Sequence, residues 1–244
     1  ISPSAVTVNA DTDSCTASTV ALGSATYDDN CSGSSVSNDA PASFPVGTTT
    51  VTWTVTDASS NTKTATQTVT VVDDQDPTIS APAAVTVNAD TDSCTAGAVT
   101  LGSATYGDNC SGSSVSNNAP ASFPVGTTTV TWTVTDASGH SKTATQTVTV
   151  VDDQDPTITA PAAVTVNTDN NECTASSVDL GSPITGDNCS GETATNDAPA
   201  SFIKGTTTVT WTATDASGNS KTATQTVTVV DDQDPTIKIG RAHV

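Results

Sequence analysis

The sequence predicts an all-β chain: three tandem Ig-like β-sandwich domains in an extended array. Three observations predict it. Cys15, Cys94 and Cys173 stand 79 residues apart, and Trp53, Trp132 and Trp211 and Asp73, Asp152 and Asp231 keep the same step. Each repeat contains runs in which apolar and polar residues alternate, with one tryptophan in phase. Each also holds two cysteines sixteen positions apart. A unit of this size fits one small sandwich but is too small to be generously stable, so a covalent staple is expected. The expected boundaries are 1–76 (a first repeat, truncated at its start), 77–155 and 156–234, with 235–244 opening a further unit.

Repeat two illustrates the elements in order. Val85-Thr86-Val87 alternates and reads as a first strand, and Asn88 to Ser93 is rich in turn formers. Cys94 to Leu101 reads as a second strand and Ala104-Thr105-Tyr106 as a short third. Gly107 to Gly112 is a loop, Ser113 to Asn117 a weak strand, and Pro120 to Gly126 a connector. Thr127 to Asp136 is the clearest strand: Val130, Trp132 and Val134 share one face, with threonines on the other. The tryptophan therefore reads as core. Ala137 to His140 is a hairpin turn, and Thr143 to Val151 the last strand, with Val148 and Val150 inward. About seven short strands with regular turn signals make an Ig-like sandwich.

The charge is −20, from 26 acidic and 6 basic side chains. Such a surface repels phosphate backbones, which argues against nucleic-acid partners, and it favours solubility and divalent cations. No run is apolar enough to span a membrane. The even cysteine count at constant spacing reads as the disulfides Cys15/Cys31, Cys94/Cys110 and Cys173/Cys189, formed in an oxidising compartment. Two thiolates per unit without a nearby histidine make a poor zinc site. Each such bridge closes a short loop worth about 3 kcal/mol in the chain-entropy model.

These residues resemble the hyalin repeat (HYR) domain family. The resemblance rests on Asp155-Pro156-Thr157-Ile158, Asp108-Asn109-Cys110, Phe123 to Val130, Thr135-Asp136-Ala137-Ser138-Gly139 and Thr147 to Asp152. It recurs in all three units, although repeat three has Ile203-Lys204 in place of Pro-Val. The resemblance implies an Ig-like fold in extracellular, cell-adhesive or modular surface proteins. Many relatives carry a second cysteine pair; here those positions are Ala81 and Ala144.

No catalytic constellation is visible. His140 has Asn61 and Asn219 as its counterparts and reads as a solvated turn residue. The acidic linkers Asp73-Asp74-Gln75-Asp76, Asp152-Asp153-Gln154-Asp155 and Asp231-Asp232-Gln233-Asp234 are the candidate sites. Calcium takes six to eight oxygen ligands, several of them carboxylates. Sandwich topology brings the first turn of one repeat and the last hairpin of the next to each linker. Candidate ligands are Asp11, Asp13, Asp73, Asp74, Asp76 and Asp136 at one junction. At the other they are Asp90, Asp92, Asp152, Asp153, Asp155 and Asp215. The competing reading is that these linkers are merely solvated and semi-rigid.

The expected function is a non-catalytic adhesion or spacer stalk, secreted or anchored at the cell surface. Its partners are neighbouring repeats and a cell-surface glycan or protein, with calcium at inter-domain junctions. The alternatives are a carbohydrate- or protein-binding module, and an accessory region of a secreted enzyme. The chain has no visible signal peptide and no methionine, so it reads as a fragment whose leader and anchor lie elsewhere. Ile239 to Val244 is what ATCGGAAGAGCACACGTC, a sequencing-adapter read, encodes. Lys238 to Val244 is therefore read as a library artefact.

Overall fold

A computed structural model describes residues 1–237. The segment read as artefact, 238–244, lies outside the described residues. Among the described residues the regular structure is all strand, and no helix is long and apolar enough to cross a membrane.

Repeat one contributes β1 (Val6–Asn9), β2 (Thr16–Ala17), β3 (Ser35–Asn38), β4 (Phe44–Pro45), β5 (Gly47–Thr56) and β6 (Thr62–Val72). Repeat two contributes β7 (Thr78–Ser80), β8 (Val85–Asn88), β9 (Thr95–Ala96), β10 (Thr105–Gly107), β11 (Ser114–Asn117), β12 (Phe123–Pro124), β13 (Gly126–Thr135) and β14 (Ser141–Val151). Repeat three contributes β15 (Thr157–Thr159), β16 (Val164–Asn167), β17 (Thr174–Ser176), β18 (Ile184–Gly186), β19 (Thr193–Asn196), β20 (Ser201–Ile203), β21 (Gly205–Thr214) and β22 (Ser220–Val230).

Each repeat builds one four-stranded sheet, in the orders β1-β6-β5-β3, β8-β14-β13-β11 and β16-β22-β21-β19. The β1/β6 and β16/β22 pairs are parallel, while β5/β6 and β21/β22 are long antiparallel hairpins. Short pairs complete the structure: β2/β4, β9/β12 and β17/β20, together with β7/β10 and β15/β18.

Alternation places the core. In repeat one Ala17, Phe44, Val51, Trp53, Val69 and Val71 cluster, and repeat three repeats the cluster with Ala175, Phe202, Val209, Trp211, Val227 and Val229. Val130, Trp132, Val134, Val148 and Val150 are buried in repeat two, as the pattern expects. Each core also buries a glutamine that pattern reading passed over. Gln67, Gln146 and Gln225 each accept a hydrogen bond from the tryptophan indole N–H, at 2.9, 3.1 and 3.0 Å. Their amide NH₂ groups donate to two backbone carbonyls each, so these buried polar groups are satisfied.

Some elements differ from expectation. The second strand of repeat two is only β9, because the backbone turns after Ala96 and Val99 N–H bonds back to Gly97. The connector before β13 contains β12, which pairs with β9, and Thr78–Ser80 forms the unexpected β7.

The disulfides are the main correction. Cys15 bonds Cys110 and Cys94 bonds Cys189, each pair 95 residues apart. The expected pairs Cys15/Cys31, Cys94/Cys110 and Cys173/Cys189 are not formed, and Cys31 and Cys173 are free and exposed. Strand register explains the exchange. Gly107 pairs with Thr78, which sets the loop holding Cys110 beside the linker that precedes repeat two. Ala89 N–H bonds Val151 O, which sets the turn leading to Cys94 beside the linker that follows it. The two cysteines of one repeat thus belong to different junctions.

The chain divides into two compact units whose boundary falls inside repeat two. The first comprises 1–85, 100–120 and 129–147; the second comprises 86–99, 121–128 and the described residues from 148 onward. Each unit contains one inter-repeat junction and its disulfide.

Candidate functional site

The junctions carry the unusual chemistry. At the first, within the first unit, Asp73 is buried although it lies in a linker. Its Oδ1 accepts from Asn109 Nδ2 at 3.1 Å, and its Oδ2 accepts from Ser138 Oγ at 3.3 Å. The same Asn109 NH₂ donates to Ser14 O at 3.0 Å, beside the Cys15–Cys110 bond. Gln75 ties the linker to the β1–β2 turn: its Nε2 donates to Asp11 O at 3.1 Å, and its Oε1 accepts from Asp13 N at 2.8 Å. Lys142 Nζ lies 3.6 Å from Asp76 in an exposed ion pair.

The second junction, within the second unit, repeats the arrangement. Asn188 Nδ2 donates to Asp152 Oδ1 and to Ser93 O, both at 3.1 Å. Ser217 Oγ donates to Asp152 Oδ2 at 3.4 Å, and Asn219 Nδ2 donates to Asp152 O at 3.1 Å. Gln154 grips Asp90 O and Asp92 N, and Lys221 pairs with Asp155 at 3.5 Å.

Each junction leaves two buried acceptors without a donor: Asp108 Oδ1 and Asn109 Oδ1 at one, Asp187 Oδ1 and Asn188 Oδ1 at the other. The other oxygens of Asp108 and Asp187 accept from the Cys110 and Cys189 amides. Oxygens of Asp73 and Asp108 and the Cys110 sulfur lie within 4.8 Å of one another, as do those of Asp152, Asp187 and Cys189. The sulfurs are disulfide-bonded, so only the oxygens are available as ligands. Asp13, Gln75 and Asp76 line an adjoining depression with Asp108 and Asn109; Asp92, Gln154 and Asp155 do so with Asp187 and Asn188.

The expected ligands therefore divide. Asp73, Asp13 and Asp76 gather at one junction, and Asp152, Asp92 and Asp155 at the other. Asp74 and Asp153 instead accept from the Asn9 and Asn88 amides. Asp11 caps its own turn: hydrogen bonds from the Ser18 hydroxyl and amide lower its pKa. Asp90 likewise accepts from Gly97 N–H.

Asp136 and Asp215 are folded into their hairpin turns. For Asp136, burial acts to raise the pKa, but hydrogen bonds from the His140 side chain and from the turn amides outweigh it, and the net shift is downward. Asp215 behaves the same way with Asn219. Donating to the Asp136 carboxylate raises the pKa of His140. His140 is thus a turn residue, but an engaged one.

Asp108, Asn109, Asp187 and Asn188 were not among the expected ligands. Their signal is the triplet Asp-Asn-Cys, which stands at 29–31, 108–110 and 187–189. It fits a turn cap as well as a ligand loop, and only the partner across the junction distinguishes the two. The aromatic residues offer little to a glycan-binding surface. The tryptophans and phenylalanines are buried, while Tyr27 and Tyr106 are 45% exposed and have Thr185 as their counterpart in repeat three.

Comparison with known proteins identifies the family. The family model of the HYR domain matches residues 5–71 and 72–150, more than half of the chain. No curated protein matches the sequence. Among solved structures, the protocadherin gamma B4 extracellular domain is similar at 14% identity and a TM-score of 0.38, over 75% of this chain and 38% of that one. Extracellular cadherin domains 1–5 of protocadherin gamma B2 are similar at 13% identity and a TM-score of 0.40, over 95% of this chain and 60% of that one. Domains EC22–24 of mouse cadherin-23 give 16% identity and a TM-score of 0.38, over 76% and 75%. The chain thus spans less than two thirds of the length of both protocadherins.

Proposed function

We propose, for a chain that belongs to the HYR domain family, a load-bearing spacer in an extracellular adhesion-type repeat region, without catalytic activity. Its folding units are the three repeats 1–76, 77–155 and 156–234, the third a further HYR-like copy. The two disulfides fit an oxidising, extracellular setting.

The observation that carries this reading is that the two disulfide loops overlap: Cys94 lies inside the loop closed by Cys15–Cys110. Tension applied at the ends then follows residues 1–15, crosses to 110, returns to 94, crosses to 189 and leaves through 189–244. That covalent path is about 85 residues, or about 300 Å when taut. Without disulfides the chain would extend to about 830 Å, and with a bridge inside each repeat to about 670 Å. Single-molecule stretching tests the reading. The oxidised chain should stop near the short limit and reach the long one after reduction. An oxidised chain that stretches to the longer lengths would refute a load-bearing role for these bonds.

Calcium is the cation proposed for each junction. Two buried acceptors without donors, next to a buried carboxylate, are the hard oxygen set that calcium takes. Asp73, Asp108 and Asn109 would hold it at one junction, and Asp152, Asp187 and Asn188 at the other. Calorimetric titration should give two sites, both lost in an Asp108→Asn/Asp187→Asn variant. A flat titration of the unmodified chain would exclude calcium there.

A further inference from the structure

We propose that each junction, once its disulfide is opened, is a zinc site: the two freed thiolates join two carboxylates around one Zn²⁺. Cys15, Cys110, Asp73 and Asp108 are the ligands at the first junction, and Cys94, Cys189, Asp152 and Asp187 at the second. The proposal rests on the pairing across repeats. It shares two carboxylates with the calcium reading, but calcium binding is not one of its premises.

The ligand atoms are already gathered. Carboxylate oxygens of Asp73 and Asp108 lie within 4.8 Å of each other and of the Cys110 sulfur, and those of Asp152 and Asp187 are placed alike around the Cys189 sulfur. Atoms bound to one tetrahedral zinc stand about 3.3–3.8 Å apart, so small side-chain movements close the site. The fourth ligands, the Cys15 and Cys94 sulfurs, are one bond away from Cys110 and Cys189. The Cα atoms of each pair are 4.8 and 4.9 Å apart, within the reach of two bonds to one ion.

The carboxylates are also oriented for a cation. Asp108 Oδ2 accepts from the Cys110 amide at 3.1 Å, which leaves Oδ1 buried with no donor. Asp187 Oδ2 accepts from the Cys189 amide at 2.9 Å, and its Oδ1 is likewise buried and unpaired. Such an oxygen carries a desolvation cost that a bound cation offsets. Asp73 and Asp152 are 2% and 4% exposed. Asn109 and Ser138 hold the first, and Asn188 and Ser217 the second. Hydrogen bonds of this kind orient the ligands of metal sites.

The sulfurs decide the ion. Calcium takes hard oxygen ligands, whereas thiolates select zinc. Within one repeat the cysteines make a poor zinc site because no histidine is near; across the junction, carboxylates supply the missing ligands. Opening the disulfide therefore changes the class of cation that the junction holds.

A dithiol supplies the electrons. One of its thiolates attacks a bridge sulfur and expels the other cysteine as thiolate. Its second thiolate then attacks the mixed disulfide and expels the first cysteine. The protein disulfide gains two electrons, the dithiol is oxidised to a disulfide, and its two protons pass to the cysteines. Zinc displaces those two protons to solvent as it binds.

The test uses the full-length chain with Cys31→Ala and Cys173→Ala, in which the four bridging cysteines are the thiols that remain. A dithiol reduces it, and gel filtration without oxygen removes the dithiol. Cobalt(II) is the probe, because its bonds to thiolate give a near-ultraviolet charge-transfer band. Two cobalt ions per chain should bind with that band, zinc should displace them, and the oxidised chain should show no band. Asp73→Asn/Asp152→Asn should weaken cobalt binding by about tenfold or more. Zinc should also raise the urea midpoint of the reduced chain, followed by tryptophan fluorescence. An absent band, an affinity unchanged in the aspartate variant, or a midpoint that saturating zinc does not move would overturn the proposal. A tryptic digest of the unmodified, oxidised chain reads the pairing separately. Bonds other than Cys15–Cys110 and Cys94–Cys189 would remove the pairing and this proposal with it, and those two bonds without a cobalt band would remove this proposal alone.

Discussion

Removing cysteines one pair at a time separates the pairing across repeats from the pairing within them. The loop between Cys15 and Cys110 spans 95 residues. Its closure is worth about 4.7 kcal/mol in the chain-entropy model, for joint unfolding of the two repeats it connects. A Cys15→Ala/Cys110→Ala variant should lose that amount. With a urea m-value of about 2 kcal/mol/M, its unfolding midpoint should fall by about 2 M. Cys31 is exposed and bonded to nothing, so Cys31→Ala should stay within about 0.5 kcal/mol of the parent. The assay is urea unfolding followed by tryptophan fluorescence, since each repeat buries one tryptophan. If Cys31→Ala cost about 3 kcal/mol, the value for a short loop within a repeat, the reasoning would be refuted.

Three further outcomes follow from the fold. Gln146→Leu strands the Trp132 N–H and the Ala83 and Leu101 carbonyls, and should destabilise by about 3 kcal/mol in the same assay; a neutral result would contradict the buried network. Ser60 sits at φ 70° where Gly139 and Gly218 hold the equivalent turns, so Ser60→Gly should stabilise by about 0.5 kcal/mol, and a loss would contradict the strain argument. The bond to Asp136 raises the pKa of His140 above 6.5, so its stabilisation is complete below that pH and is lost as pH rises through the folded value. Thermal midpoints between about pH 5.5 and 8.5 should show this loss, and His140→Asn, which copies the neutral donor at Asn61 and Asn219, should remove it.

Much of the fold was legible because each strand answers to local rules. Val130, Trp132 and Val134 alternate with threonines, and burial follows the alternation. Gln146 could have been read the same way, since it keeps phase with Val148 and Val150; its polarity hid it, and only the indole and the two carbonyls explain it. The disulfides were not legible for a different reason. In a periodic sequence, a partner sixteen residues on and a partner one repeat further on both recur at the repeat period, so spacing cannot choose. The choice is made by β10, whose pairing with β7 carries Cys110 to the linker before repeat two, where Cys15 lies. The candidate ligands divide by competition for the same carboxylates. Asp136 is claimed by three amides of its own turn, while Asp73 accepts from one amide of its own linker, Gln75 N–H, and is otherwise taken up by Asn109 and Ser138 of the next repeat.

The most direct measurement is a tryptic digest without reduction, after alkylation of free thiols. Lys63, Lys142 and Lys204 separate the six cysteines into residues 1–63, 64–142 and 143–204, two in each. The account predicts one covalent species containing all three peptides, with alkylated Cys31 and Cys173. Three separate peptides, each closed on its own two cysteines and unalkylated, would contradict it.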